Sequence, residues 1–216
     1  MKSLRLAALL IAGLFASNAI AAGNIEAGKT KSATCAACHS VDGNSPSSAF
    51  PKIAGQGAPY MVKQLKDYKA GVREDATMFG MTAALSEQDM EDLAAYFASQ
   101  TIKVGAADPE LVEEGERLYR GGNIETGIAA CAACHGPAGE GITAAKFPAL
   151  GGQYAEYTEL QLRAFRAAGR GDIDAPKYRR NDVEDPEALG MMQATAAKMT
   201  DREIKAVASY ISGLSK

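Results

Sequence analysis

Apolar positions recur at helical spacing along much of the chain, and no run alternates strictly enough to read as a strand. Met61, Leu65 and Tyr68 share one face of a segment from Tyr60 to Ala70, and Leu162 and Phe165 do the same between Tyr157 and Ala167. Two closing helices are announced by their caps: Ser86 is followed by Asp89 and Thr200 by Glu203, one form of the capping box. They are expected to end near Gln100 and Gly213, with Tyr96, Phe97 and Tyr210 packed against N-terminal helices. In the second half Asp108 reads as an N-cap and Pro109 as the first helical position, with Glu110, Glu113 and Glu114 complementing the helix dipole. The pattern predicts an all-α fold of short helices and long loops containing Gly and Pro. Such loops, in units of about 80–110 residues, bury little core unaided, so something else must fill the middle.

One apolar stretch is of a different kind. Leu6 to Ala22 follows the basic residues Lys2 and Arg5 and contains the small-residue site Ala19-Ile20-Ala21, so residues 1–21 read as a cleaved secretory signal. An uncleaved anchor is the alternative, because 17 apolar-rich residues lie at the short limit for a spanning helix. The 216 residues are 47% hydrophobic and 23% charged, which excludes a disordered, collagenous or polytopic membrane chain. A net charge of -3 leaves no basic excess to attract nucleic acid. Without Lys2 and Arg5 it becomes -5, on a chain exported to an oxidising compartment.

The chain contains one module twice. Cys35-Ala36-Ala37-Cys38-His39 recurs as Cys131-Ala132-Ala133-Cys134-His135 at an offset of 96. Phe50-Pro51, Gly55-Gln56 and Tyr60 recur as Phe147-Pro148, Gly152-Gln153 and Tyr157 at 97, and the closing helices at 114. Three co-linear blocks make a duplication, with domains at 22–104 and 105–216. The growing offset places a 17-residue insertion around Arg170 to Asp185, rich in charge, near Pro176 and Pro186, and read as a solvated loop.

All four cysteines and both histidines fall in the repeated pentapeptide. Its spacing is the attachment signature of c-type haem: two thiols three positions apart reach both vinyl groups of one porphyrin edge, and the following His ligates iron. A thioredoxin-like pair is expected near a βαβ pattern, absent here, and needs no His. A four-cysteine zinc site or two small disulfides would leave both His unexplained. Two covalently bound haem c groups are therefore expected, one on Cys35 and Cys38 with His39 on iron, the other on Cys131 and Cys134 with His135. Methionine is the candidate for each second axial position. Met78 and Met192 each lie eight residues before a closing-helix cap and are equivalent in the duplication; Met81 and Met191 are the near alternatives, and Met61, Met90 and Met199 read as core.

At this point the chain resembles the diheme cytochromes of the cytochrome c4 type. The two CAACH motifs carry the resemblance, with Phe50–Gln56, Phe147–Gln153, the linker Val104–Pro109 and the Leu118–Gly122 stretch. It implies two tandem class I cytochrome c domains about a pseudo-twofold axis, and it supports Met78 and Met192 as distal ligands. It also implies that Pro51 and Pro148 offer their carbonyls to the His rings; Gln56, Tyr60, Gln153 and Tyr157 either border the haem groups or pack. The implied role is a periplasmic or membrane-surface carrier of single electrons between redox proteins. A quinol-oxidising complex would be the donor and a terminal oxidase or reductase the acceptor. With both axial positions filled, no open coordination site remains for catalysis, so the chain reads as no enzyme. A diheme peroxidase and a fixed haem subunit of a larger oxidoreductase are the alternatives. The first domain has 8 basic and 9 acidic residues and the second 13 and 17, so the second haem is expected at the lower potential.

Overall fold

A computed structural model describes residues 23–215 apart from 173, 176, 184, 186 and 187; the signal segment expected at 1–21 lies outside the described residues. In the first half, α1 (Ile25–Lys31) leads through a 3-10 turn into α2 (Ala36–His39), followed by α3 (Ala58–Lys69), α4 (Ala76–Thr82) and α5 (Glu87–Ala98). The second half repeats the order: α6 (Val112–Gly121), α7 (Ala132–His135), α8 (Ala155–Arg170), α9 (Met191–Ala196) and α10 (Asp201–Gly213). The expected helical fold is present, and the bridges Asn123–Ile128 and Ile142–Phe147 are isolated.

Both capping boxes form. Ser86 Oγ accepts from Asp89 N at 3.1 Å while Asp89 accepts from Ser86 N at 2.9 Å; Thr200 and Glu203 repeat the exchange at 3.2 and 2.8 Å. These bonds satisfy helix-end donors that the helix cannot. The start expected at Asp108 and Pro109 is corrected: α6 begins at Val112, and Asp108 closes the preceding turn, its side chain accepting from Glu110 N and its carbonyl from Leu111 N. The residues that favour a helix start are spent on a turn that precedes it.

In each half the first helix crosses the closing helix at a glycine. A Cβ on Gly28 would lie 2.0 Å from the Asp92 carbonyl oxygen, and one on Gly115 2.3 Å from that of Ala206. The crossings are close because those positions have no side chain. Around them gather two cores, one with Met61, Leu93, Tyr96 and Phe97, the other with Leu118, Tyr119, Ile204, Val207, Tyr210 and Ile211. Met90 and Met199 are buried as expected of core residues. The first crossing is also tied by Asp92, which accepts from Asn24 N at 2.8 Å and pairs with Lys31 at 2.7 Å.

The insertion is only partly the solvated loop its charge suggests. Gly171, Asp172, Asp174 and Lys177 are exposed, but Arg179 and Asn181 are buried. Arg179 donates to Tyr60 Oη at 2.9 Å and Gln64 Oε1 at 3.2 Å in the first half and to Gln161 Oε1 at 2.8 Å in the second, with its guanidinium 4.5 Å from the Phe165 ring. Neutral acceptors from two distant segments pay for this buried cation, and sequence spacing does not reveal them.

Candidate haem-binding sites

Cys35 and Cys38 lie three residues apart around the single turn of α2, and Cys131 and Cys134 likewise around α7, which presents each pair on one side. His39 N and His135 N close the turns by donating to the carbonyls of Cys35 and Cys131, both at 2.9 Å. The two histidines are 8% and 6% exposed. Each Nδ1 lies 2.9 Å from a proline carbonyl, His39 against Pro51 and His135 against Pro148. A carbonyl only accepts, so each Nδ1 carries the proton and each Nε2 keeps its lone pair. Burial lowers both imidazole pKa values, against the opposing pull of the proline carbonyls, which favours the neutral ring that iron needs. Burial likewise pushes up the thiols of Cys35 and of Cys131, the latter to about 11.

These residues fit haem c: a thiol pair, a buried neutral imidazole with a fixed tautomer, and one free ring nitrogen beside them. Cys35 packs on the first core and Cys131 on the second, and no three metal-ligating side chains converge among the described residues, so the zinc reading has no site there.

Met78 stands on α4, which packs on α3, and Met192 on α9, which packs on α8. Both are half-buried, whereas Met81 is 41% and Met191 59% exposed. Met192 packs against the same core as Cys131. An aspartate holds each backbone: Asp75 accepts from Met78 N at 3.0 Å, and Asp182, from the insertion, from Met192 N at 2.7 Å. Sequence spacing pairs the methionines but does not reveal Asp182, ten residues away.

The repeated Gln and Tyr residues work across the two halves. Gln56 Oε1 accepts from Ala149 N at 2.9 Å and its Nε2 donates to Ala149 O at 3.0 Å; Gln153 makes the same pair with Lys52, at 2.9 and 2.7 Å. Tyr60 meets Arg179, and Tyr157 accepts from Arg73 at 2.9 Å. Arg73 and Arg179 thus lie buried between the halves, the guanidinium cluster that the sequence reading lacked.

A family model described as cytochrome c matches residues 25–101 and again 112–215. Cytochrome c4 of Pseudomonas aeruginosa is 48% identical over 99% of this chain and 100% of that protein. This chain belongs to the cytochrome c4 family. The crystal structure of reduced recombinant cytochrome c4 from Pseudomonas stutzeri matches with a TM-score of 0.80 and 48% identity, over 89% of this chain and 100% of that one. A thiosulfate dehydrogenase electron acceptor from Thiomonas intermedia is 35% identical over 84% of this chain and 78% of that protein. As a cytochrome c4 family member, the chain has two tandem class I cytochrome c domains with two covalently bound haem c groups, and its function is electron transfer. No helix among the described residues is long and apolar enough to cross a membrane.

Proposed function

We propose that this chain is a periplasmic one-electron carrier rather than an enzyme. Cys35 and Cys38 hold one haem and Cys131 and Cys134 the other, with axial pairs His39 and Met78, His135 and Met192. The observation that carries the assignment is the same buried His–proline bond at 2.9 Å beside each thiol pair. Each haem supplies a single reversible electron at its iron, and thioether ligation by methionine favours the reduced form. The protein's part is to hold the imidazole tautomer and seat the methionine, so that both axial positions stay filled.

Domain limits at 22–104 and 105–216 have local support. Asn44 ties Thr101 O and Lys103 N to the first domain, while Gly105 N donates to Ser212 O and Asp108 N to Ser209 Oγ in the second. A quinol-oxidising complex as donor and a terminal oxidase or reductase as acceptor fit a high-potential His/Met carrier. The relative named as an electron acceptor of thiosulfate dehydrogenase adds a dehydrogenase to the candidate donors.

The test is the visible spectrum of the exported protein with a haem count per chain. Two low-spin haems and a weak far-red methionine–iron band are expected. Met78→Ala and Met192→Ala should each remove about half of that band, and Met81→Ala and Met191→Ala should leave it. A band that survives the first pair refutes the ligand assignment, and steady peroxide turnover by the wild-type protein refutes the carrier reading.

A further inference from the structure

The proline carbonyl that each His ring holds belongs to a peptide group whose other end is also taken. The N–H of the Pro51–Lys52 peptide donates to Gln153 Oε1 at 2.9 Å, and that of Pro148–Ala149 to Gln56 Oε1 at 2.9 Å. The described peptides are all trans, so C=O and N–H point to opposite sides of one rigid plane. Each unit is therefore a relay: imidazole Nδ1–H to carbonyl, through the amide, to a glutamine of the other domain. The glutamine amides return a bond to the carbonyls of Lys52 and Ala149, at 2.7 and 3.0 Å, which fixes which end of the side chain faces the N–H.

We propose that Gln153 and Gln56 are positioning residues that tune the haem of the opposite domain, Gln153 acting on His39 and Gln56 on His135. This rests on the ligation assigned under Proposed function. A peptide whose N–H is engaged is more polarised, so its carbonyl accepts more strongly. A stronger acceptor at Nδ1 makes the imidazole a better donor to iron and favours the oxidised haem. Only backbone atoms of residues 52 and 149 take part, which is why the relay is the same in both directions although one position is Lys and the other Ala. Ordinary interface packing needs no bond to that particular peptide. Here each glutamine reaches the one amide that its partner domain uses to hold its iron ligand.

The test is a redox titration of the intact diheme protein, with each haem followed by its assigned methyl resonances. Gln153→Leu should shift the N-terminal haem toward the reduced form by about threefold, which is about 28 mV for one electron, and move the C-terminal haem less. Gln56→Leu should do the reverse. Gln153→Glu keeps the acceptor and should shift the N-terminal haem the other way. Tyr154→Phe loses a cross-domain bond to Ser45 O outside the relay and should leave both potentials in place. The proposal is overturned if the leucine variants move both haems equally, move the haem of their own domain, or move neither, or if Gln153→Glu moves with Gln153→Leu. Should the leucine variants fail to mature, amide exchange in the wild-type protein decides: Lys52 and Ala149 N–H should be protected, and fast exchange at either defeats the relay. A low-spin spectrum with two haems per chain shows that the ligation stands even where the relay fails.

Discussion

Gly115 gives a test in which two well-known effects oppose each other. Replacing a helix-interior glycine by alanine removes backbone freedom from the unfolded chain and gains up to about 1 kcal/mol. At Gly115 the new Cβ would stand 2.3 Å from the Ala206 carbonyl oxygen and 2.7 Å from Tyr210 Cβ, against an ordinary contact of about 3.5–4.0 Å. One obstacle is backbone in the middle of α10 and the other the root of a buried ring, so neither can swing aside. The helices must part by about 1 Å, loosening Tyr119 against Tyr210, whose rings are 5.6 Å apart. Overpacking of this kind costs about 1–3 kcal/mol or more, so the clash wins. Gly121, in the same helix, has nothing within 4 Å of its would-be Cβ. Gly115→Ala should lower the urea midpoint of the C-terminal domain by an amount equal to about 1–2 kcal/mol, and Gly121→Ala should leave it unchanged or raise it. A Gly115→Ala protein as stable as wild type would refute the claim that the α6–α10 crossing requires a bare backbone.

Arg179→Ala removes two cross-domain bonds from a charged donor, each worth about 1.5–3 kcal/mol before the recovered hydration of the guanidinium is set against them, leaving about 2–4 kcal/mol. The two domains should then melt apart in calorimetry, and a single unchanged transition would count against it. Asp92 is held down to about 2, first by Lys31, then by the amide of Asn24 and the side chain of Gln88. Its folded pKa lies below the unfolded value of about 3.9, so its contribution is complete above that pH and is lost as pH falls from about 4 to 2. The stability gap between wild type and Asp92→Asn should close over that window, and a gap constant down to pH 2 would show that the pairing contributes nothing. Ser40 follows His39 with φ 65° and ψ 163°, where the second domain has Gly136 at φ 81°. That backbone region is nearly exclusive to glycine and costs about 1–3 kcal/mol otherwise, so Ser40→Gly should raise the melting temperature of the N-terminal domain, and a fall would refute the strain.

The features legible in the sequence are those whose causes lie within a few residues. The capping boxes at Ser86 and Thr200, the one-turn presentation of Cys35, Cys38 and His39, and the apolar faces of α3 and α8 depend on neighbours along the chain. The proline carbonyls against the two imidazoles were readable only through resemblance, since twelve and thirteen residues separate each pair. Arg179 shows where local reading stops. A charged stretch reads as solvated because it lacks apolar residues, yet Tyr60 and Gln64, over a hundred positions away, supply the acceptors that let it be buried. Asp108 and Pro109 failed differently: the same residues favour a turn and a helix start, and bonds to Glu110 and Leu111 decide for the turn.

The duplication also explains why the two halves do not behave as independent copies. Each domain contains its own thiol pair, imidazole, proline and methionine, so each could hold its haem without the other. Neither satisfies its own Pro–X amide, because the glutamine that does so comes from its twin. Around that symmetric exchange the copies have diverged. Lys52 sends its ammonium to the carbonyls of Gly152 and Lys103 and over the Tyr154 ring, where Ala149 has nothing to send, and the insertion that supplies Asp182 and Arg179 belongs to the second copy alone. A positive charge beside the first domain's relay and the larger acidic excess of the second would act in the same direction, so a redox titration is expected to find the N-terminal haem at the higher potential, and a higher C-terminal potential would refute the charge argument. Symmetric contacts join the two domains at the peptides that hold their imidazoles, and the residues that broke the symmetry are the ones expected to set the two potentials apart and so to give a single electron a preferred haem.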